Sequence, residues 1–249
     1  MARSVVLVGC VAMGTGCGRL DFTDDVTPVD AADLVGWWKL DDGTGDTAND
    51  SSRSGDPLML DGCTWTADGR FGGALTFSNA TDVAFNTGPT ALDLAGSWTV
   101  MAWIRADAYP QSGKIAMLVN KRGGAGDNFD LMLDNGHFNA GIGFTADFNA
   151  TGCCDDHAAK QDLTPSLSVW HHVAAVYDES QQIETLYVDG SAASAANTAG
   201  SIPEGGAGML SVGNNSITSD PVTSTLDDVR IYKRALTATE VAKVASGDG

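Results

Sequence analysis

Basic side chains are scarce in this chain. Lys and Arg number 14 against 32 Asp and Glu, a formal charge of -18, and the cations are scattered without forming a patch. That balance excludes nucleic acid as a partner, because phosphate binding needs clustered positive charge. Glutamate is scarcer still, with only Glu179, Glu184, Glu204 and Glu240 present. Glycoside hydrolysis requires two carboxyl groups about 5–5.5 Å apart for retention, or wider for inversion. The closest glutamate pair, Glu179 and Glu184, instead flanks a turn-like DESQQIE segment. No serine sits in a nucleophile elbow and no Cys–His–Asn order stands out. These absences point to a non-enzyme. No apolar run is long enough to span a bilayer. Five cysteines occur without zinc-type spacing.

What remains is acidic and turn-rich. Nearly all the acids are aspartates, and glycines number 30. Aspartate suits turns and caps, and its short carboxylate is a common calcium ligand. A soluble acidic surface is the default use of most of these residues.

The first residues read as an export signal. MAR supplies positive charge, SVVLVGCVAMG an apolar stretch, and small residues follow up to Cys17. The ending GTGC resembles a bacterial lipobox with Cys17 as the lipidated residue, although Gly14 replaces the usual Leu. LVGC, ending at Cys10, matches better by residue type but leaves too short an apolar region. The expected organisation is a signal peptide over 1–17, a polar flexible linker over 18–32, and one domain over 33–246. The chain is thus expected to be exported, as an envelope lipoprotein or a secreted protein, touching membrane only through the lipid. If Cys17 carries lipid, Cys63, Cys153 and Cys154 remain. A Cys153–Cys154 bridge would need a strained ring, so Cys63 is expected to pair with one of them.

The domain is written in strands. SWTVMAWIRAD places Trp98, Val100, Ala102 and Ile104 on one face and Met101 and Trp103 on the other, so both faces are expected to be buried. Asn135-Gly136 between apolar runs predicts a two-residue hairpin turn. WHHVAAVYD and IETLYVDG form a strand pair around Asp178–Gln182, and His171 and His172 on the first point to opposite faces. The pattern predicts an all-β antiparallel β-sandwich or jelly roll. One short C-terminal helix is expected, with Thr237 as N-cap, Glu240 completing a capping box, and Leu236 and Val241 as a hydrophobic staple.

GWWKLDDGTGDTANDSS, GGALTFSNATDVAF, SWTVMAWIRA, WHHVAAVYDESQQIETLYVDG and LDDVRIYKRALTATEV occur here in an order that resembles the LamG-like jelly-roll group of the concanavalin A-like lectin/glucanase superfamily. The resemblance covers about Asp33 to Ala245. It implies two antiparallel sheets of six or seven strands, calcium bound near the strand corresponding to LDDVRIY, and glycan or protein as ligand. One stretch departs from the family pattern: FSNATDVAF carries Ser78 and Asn79 where relatives have Asp-Gly, leaving Asp82 as the matching acid. The Glu-x-Asp-x-x-Glu strand motif of glucan-hydrolysing relatives is absent.

Adjacent aspartates on a strand point to opposite faces, so only one of Asp227 and Asp228 can face a shared ion unless a bulge intervenes. The family match selects Asp227. Its expected calcium partners are drawn from Asp41, Asp42, Asp46 and Asp50 on the glycine-containing loop near the start, tying the first strand to the last. The alternative is a solvated loop with an aspartate paired to Arg230 or Arg234. Ligand contact is expected from the long segment Thr145 to Ser168, through Phe148, Asn149, Asp155, Asp156 and His157; an insertion without a ligand is the equal alternative. Together these readings describe a calcium-containing binding or adhesion module for a glycan or surface protein. A hydrolase or lyase with an atypical carboxylate pair, and a purely structural envelope lipoprotein, are the competing classes.

Overall fold

The computed structural model describes residues 29 and 31–249, other than 95, 123–126, 139–140, 149–157, 162, 199–205, 207, 214–221 and 248. Among these residues the chain forms two eight-stranded antiparallel sheets and one α-helix. The first sheet runs β14 (Ser191–Asn197), β13 (Ile183–Val188), β12 (Trp170–Asp178), β7 (Trp98–Ala106), β16 (Ser224–Tyr232), β5 (Ala74–Phe77), β4 (Thr64–Thr66). β1 (Leu34–Trp38) lies beside the later part of β16, while β5 lies beside its start. The second sheet runs β11 (Ala159–Lys160), β10 (Ile142–Asp147), β9 (Asp127–Asn135), β8 (Lys114–Arg122), β15 (Leu210–Gly213), β6 (Val83–Asn86), β3 (Leu58–Asp61), β2 (Thr47–Ala48). This is the jelly-roll sandwich that the alternating strands predict.

The core follows from that alternation. Trp98, Val100, Ala102 and Ile104 of β7 join Phe129, Leu131 and Leu133 of β9 in one continuous apolar cluster. Met101 on the opposite face of β7 joins Ala174, Tyr232, Val241 and Val244 in a second cluster, beneath α1 (Ala238–Ser246). A strand apolar on both sides therefore has packing on both sides: the sandwich interior on one, the helix on the other. The helix is held as its sequence predicts. Thr237 Oγ1 accepts from the Glu240 amide at 3.3 Å, and Glu240 Oε2 accepts from the Thr237 amide at 2.8 Å. Leu236 and Val241 meet in the second cluster, and Gly247 ends the helix at φ 87°. Arg234 clamps Glu240 with contacts of 2.6 and 3.0 Å.

Two expectations are corrected. Asn135 and Ile142 are partners in the β9–β10 register, so residues 136–141 form a longer loop than the predicted two-residue turn. Asp134 organises that loop, accepting from the amides of His137 and Phe138 at 2.8 and 2.6 Å, and among the loop's described residues only Gly136 has positive φ. Cys63 is a free thiol, its Sγ directed at the Val83 carbonyl at 3.8 Å, so the disulfide expected of it is not formed. Half-buried, it is pushed up to about 11, chiefly by desolvation. Its intended partners Cys153 and Cys154 lie outside the described residues, as does Cys17. Among the described residues no helix is long and apolar enough to cross a membrane.

Candidate functional site

Strict alternation along β16 would send Asp227 and Asp228 to opposite faces. The structure overturns that. Asp228 takes a left-handed conformation at φ 48°, which a short polar side chain tolerates. The pairing of β16 with β7 slips there, between Asp227 and Arg230. Such a bulge re-aims a side chain. Both carboxylates turn into one cavity of about 270 Å³, walled by Trp37, Lys39, Asp41, Phe71 and Arg230.

The walls come from β1 and the residues just after it, from the loop before β5, and from β16 itself. Trp37 sits on β1, and its indole Nε1 donates to Asp228 Oδ1 at 2.7 Å. Arg230 Nε donates to the same oxygen at 3.1 Å. The Arg230 guanidinium and the Lys39 ammonium lie over the Trp37 ring, 4.6 and 4.4 Å from its centroid. Asp227 Oδ2 accepts from the Phe71 amide at 2.8 Å, and Asp41 Oδ1 from the Gly73 amide at 2.6 Å. Gly72 is required here. Its φ is +90°, and a Cβ would stand 2.6 Å from Asp41 Oδ1. Two buried oxygens have no partner, Asp227 Oδ1 and Asp228 Oδ2.

Behind the cavity, His172, Trp103 and Asp227 form one row across β12, β7 and β16. Trp103 meets His172 edge-on at 5.4 Å and Phe71 at 5.8 Å, while Arg70 lies over Trp103 at 4.4 Å. Trp103 Nε1 and both ring nitrogens of His172 are buried without partners. Burial lowers His172 to about 4, overriding the upward pull of Asp228 and Asp189, so its ring is neutral at physiological pH. Burial also raises Asp227 to about 7, against the downward pull of the Phe71 and Arg70 amides.

The carboxylates expected around calcium divide into two groups. Asp41 and Asp227 share the cavity, with Asp228 added by the bulge. Asp42, Asp46 and Asp50 are not among its walls. Asp42 accepts from the Asn49 amide and side chain, and the Asp46 side chain is exposed. Asp50 is occupied as a loop organiser, accepting from the amides of Trp37, Ser52 and Asp56 at 2.9, 2.7 and 2.9 Å. Among the described residues no three His, Cys, Asp or Glu side chains converge as ligands of one ion. The groups that fit a hard cation are the unpartnered oxygens of Asp227 and Asp228 with Asp41 beside them, offset in part by Lys39 and Arg230. Pairing of an aspartate with Arg230, the competing reading, is realised by Asp228.

Phe148 does not face a ligand. It is 2% exposed and packs against Trp98 and Tyr177 in the core, at 6.3 and 4.9 Å, because β10 continues its alternation one residue past its end. Asn149, Asp155, Asp156 and His157 lie outside the described residues. Asp82, the acid left in the departing loop, accepts from the Ser78 and Asn79 amides at 2.7 and 2.9 Å and so closes its own turn. His171 and His172 do face opposite ways: His171 Nδ1 meets Asp189 at 3.0 Å on the exposed side of the Tyr-Val-Asp-Gly turn. Sequence reasoning missed Trp37, Lys39, Arg70, Phe71 and Trp103 as site residues. GWWKL and GRFGG carried the signal, aromatic and basic residues side by side next to glycines, but nothing in either stretch shows which strand it meets.

No curated protein matches the chain. Among solved structures, the binding domain of Paraclostridial Mosquitocidal Protein 1 is similar with a TM-score of 0.69 and 17% identity, over 87% of this chain and 52% of that one. The receptor-binding domain of botulinum neurotoxin C/D mosaic serotype is similar at 0.69 and 12% identity, over 88% of this chain and 52% of that one. Trypanosoma rangeli sialidase in complex with sialic acid gives 0.62 and 18%, over 88% and 34%. The chain thus spans about half the length of the first two and a third of the last, and at these identities the likeness is one of fold. Residues 77–242 match the Laminin G model described as the concanavalin A-like lectin/glucanases superfamily. The chain belongs to that superfamily.

Proposed function

We propose that this protein is a non-catalytic binding module that captures a glycan at the β1–β16 cavity, with a calcium ion seated on Asp227 and Asp228. One observation carries the reading: the bulge at Asp228 delivers two buried carboxylates to a single cavity, and each keeps an oxygen without a partner. Sugar hydroxyls donate to such oxygens, and calcium accepts them as ligands together with hydroxyls and water. At about 270 Å³ the cavity lies at the small end of ligand sites, so it suits one sugar ring better than a long segment. Toxin binding domains of similar fold are consistent with a binding role, and a protein ligand at the same face is the nearest variant of the reading. The export and lipid-anchoring expectation for Cys17 belongs to the same proposal; an unmodified mature N-terminus other than cysteine, seen by mass spectrometry, would overturn it.

A glycan array run with calcium chloride and then with chelator is the direct test, repeated on Asp227→Asn. Binding that needs calcium and disappears in the variant is the expected result. The calcium assignment fails if thermal melts are identical with calcium and chelator and elemental analysis finds no metal.

A hydrolytic reading has one specific observation in its favour, since Asp130 and Asp147 stand directly opposite one another on β9 and β10. Both are buried, at 8% and 4% exposure, which withholds them from a polymer. Release of product from a polysaccharide, abolished by Asp130→Asn, would establish that alternative.

A further inference from the structure

Carboxylates buried without a countercharge take up a proton or an ion. At one edge of the sandwich, β10 and β11 of the second sheet meet β13 and β14 of the first. Three acids are buried there. Asp130 and Asp147 are cross-strand partners, which places their Cβ atoms about 5 Å apart. Glu184 on β13 is fully buried, and neither of its carboxylate oxygens has a hydrogen-bond partner. Asp130 accepts from Asn120 Nδ2 on β8.

The surrounding elements supply little positive charge. On β8, Arg122 is drawn to Asp127 at 3.5 Å, and the Lys121 ammonium is spent on the carbonyls of Arg122 and Gly206, both at 2.7 Å. Lys160 on β11 lies toward the Phe138 ring at 5.9 Å. β12 presents Tyr177, which faces Glu184 together with Asp178 and Glu179. β14, SAASAAN, carries no titratable side chain. Among the described residues, then, no cation is dedicated to Asp130 or Glu184. The three acids also do not converge on one point as ligands of a metal ion do.

We infer that Asp130 and Glu184 are protonated in the folded protein and form, beside Asp147, a pH-sensitive latch between the two sheets. While the protons are held the edge is closed. When alkali removes them, like charges are left buried together and the β10–β13 contact loosens. Desolvation supports this, raising both groups well above the usual carboxylate range. The negative charge of Asp127 and Asp147 adds to the effect on Asp130, and that of Asp147 and Asp130 to the effect on Glu184. The Asn120 side chain and the charge of Arg122 oppose it at Asp130, and the Ala159 amide opposes it at Glu184, each by less than desolvation. The linkage sign follows. The folded chain binds more protons than the unfolded chain, so the latch contributes fully below about pH 4 and is lost as pH rises from there through the folded values.

The test uses the whole chain in chelator, comparing wild type with Glu184→Gln and Asp130→Asn by urea unfolding at pH 5 and pH 9. Wild type is expected to lose stability between the two, while each neutral variant loses less and at pH 9 exceeds wild type by about tenfold in its folded-to-unfolded ratio, the worth of one pH unit of linkage. In Asp227→Asn at pH 6, where Asp227 no longer contributes a carboxyl of its own, the infrared band of a protonated carboxyl should be present, and this reading stands even if the Glu184 or Asp130 variant fails to fold. The proposal is overturned if that band is absent. It is equally overturned if the variants lose as much stability at pH 9 as at pH 5. Rescue of wild type by calcium chloride at pH 9, absent in Glu184→Gln, would also overturn it, by showing that an ion and not a proton neutralises the acids.

Discussion

Asp228→Ala probes the joint between the first and last strands most directly. The side chains of Arg230 and Asp228 are 9% and 7% exposed, so the substitution strands a buried guanidinium. Removing one member of a buried ion pair costs about 3–5 kcal/mol. The Trp37 indole N–H loses its only acceptor here, adding about 1 kcal/mol, and alanine at φ 48° adds about 1 more. These terms overlap, because the bulge can relax once the carboxylate is gone, so the expected loss is about 4–6 kcal/mol. For a chain of this size that lowers the melting temperature by about 10–20 °C. Asp228→Asn keeps an acceptor for Trp37 and tolerates the left-handed backbone, so it should cost about half as much. The double variant Asp228→Ala/Arg230→Met should recover most of the loss, since an apolar replacement of a buried pair is close to neutral. Differential scanning calorimetry of all four proteins in chelator decides the matter. A loss of under about 1 kcal/mol in Asp228→Ala, or no recovery in the double variant, would show that this pair does not hold β1 against β16.

Two further outcomes follow from other parts of the fold. The Glu240 carboxyl is held down to about 2, first by the Arg234 hydrogen bond and then by Thr237. Its contribution is therefore complete above about pH 5 and is lost as pH falls through 2; allowing for its partial exposure it amounts to about 1–2 kcal/mol. Glu240→Gln should lower the urea midpoint at pH 6 and converge on wild type near pH 2, and equal midpoints at pH 6 would refute the clamp. Phe148→Ala should cost about 3–5 kcal/mol as a core cavity while leaving any ligand affinity of the folded fraction unchanged. Weaker binding without loss of stability would return Phe148 to the ligand site.

How much of this was legible follows from the range of each physical signal. Alternation in SWTVMAWIRA identified a doubly buried strand, because burial on both faces is a property of the strand itself. The capping box at Thr237 and Glu240 was equally readable, since both partners lie within one helical turn. The site was harder. Alternation is blind to a bulge, and nothing in Leu226–Asp227–Asp228–Val229 marks Asp228 as left-handed, so the second carboxylate was assigned to the wrong face. Asp50 looks like a metal ligand by composition, but its oxygens are taken by the amides of Ser52 and Asp56 in its own loop and of Trp37 on β1, an arrangement composition does not encode. Trp37 and Asp228 are separated by 191 positions. No local pattern encodes a contact of that span. Asn135-Gly136 misled for the opposite reason: a strong dipeptide preference was overruled by Asp134, whose carboxylate organises a longer loop.

The placement of β16 has a consequence in time. The last strand made lies inside the first sheet, with β7 on one side and β1 and β5 sharing the other. The β12–β13 and β4–β5 pairs can form early, but β1 has no strand to pair with, and β5 none on its other side, until residues 224–232 appear. Contacts of such long sequence separation make folding slow. The first sheet therefore stays divided until β16 arrives and then closes around a strand only nine residues long. Truncation before Ser224, which removes β16, should therefore leave β1 unpaired and the first sheet split between β7 and β5.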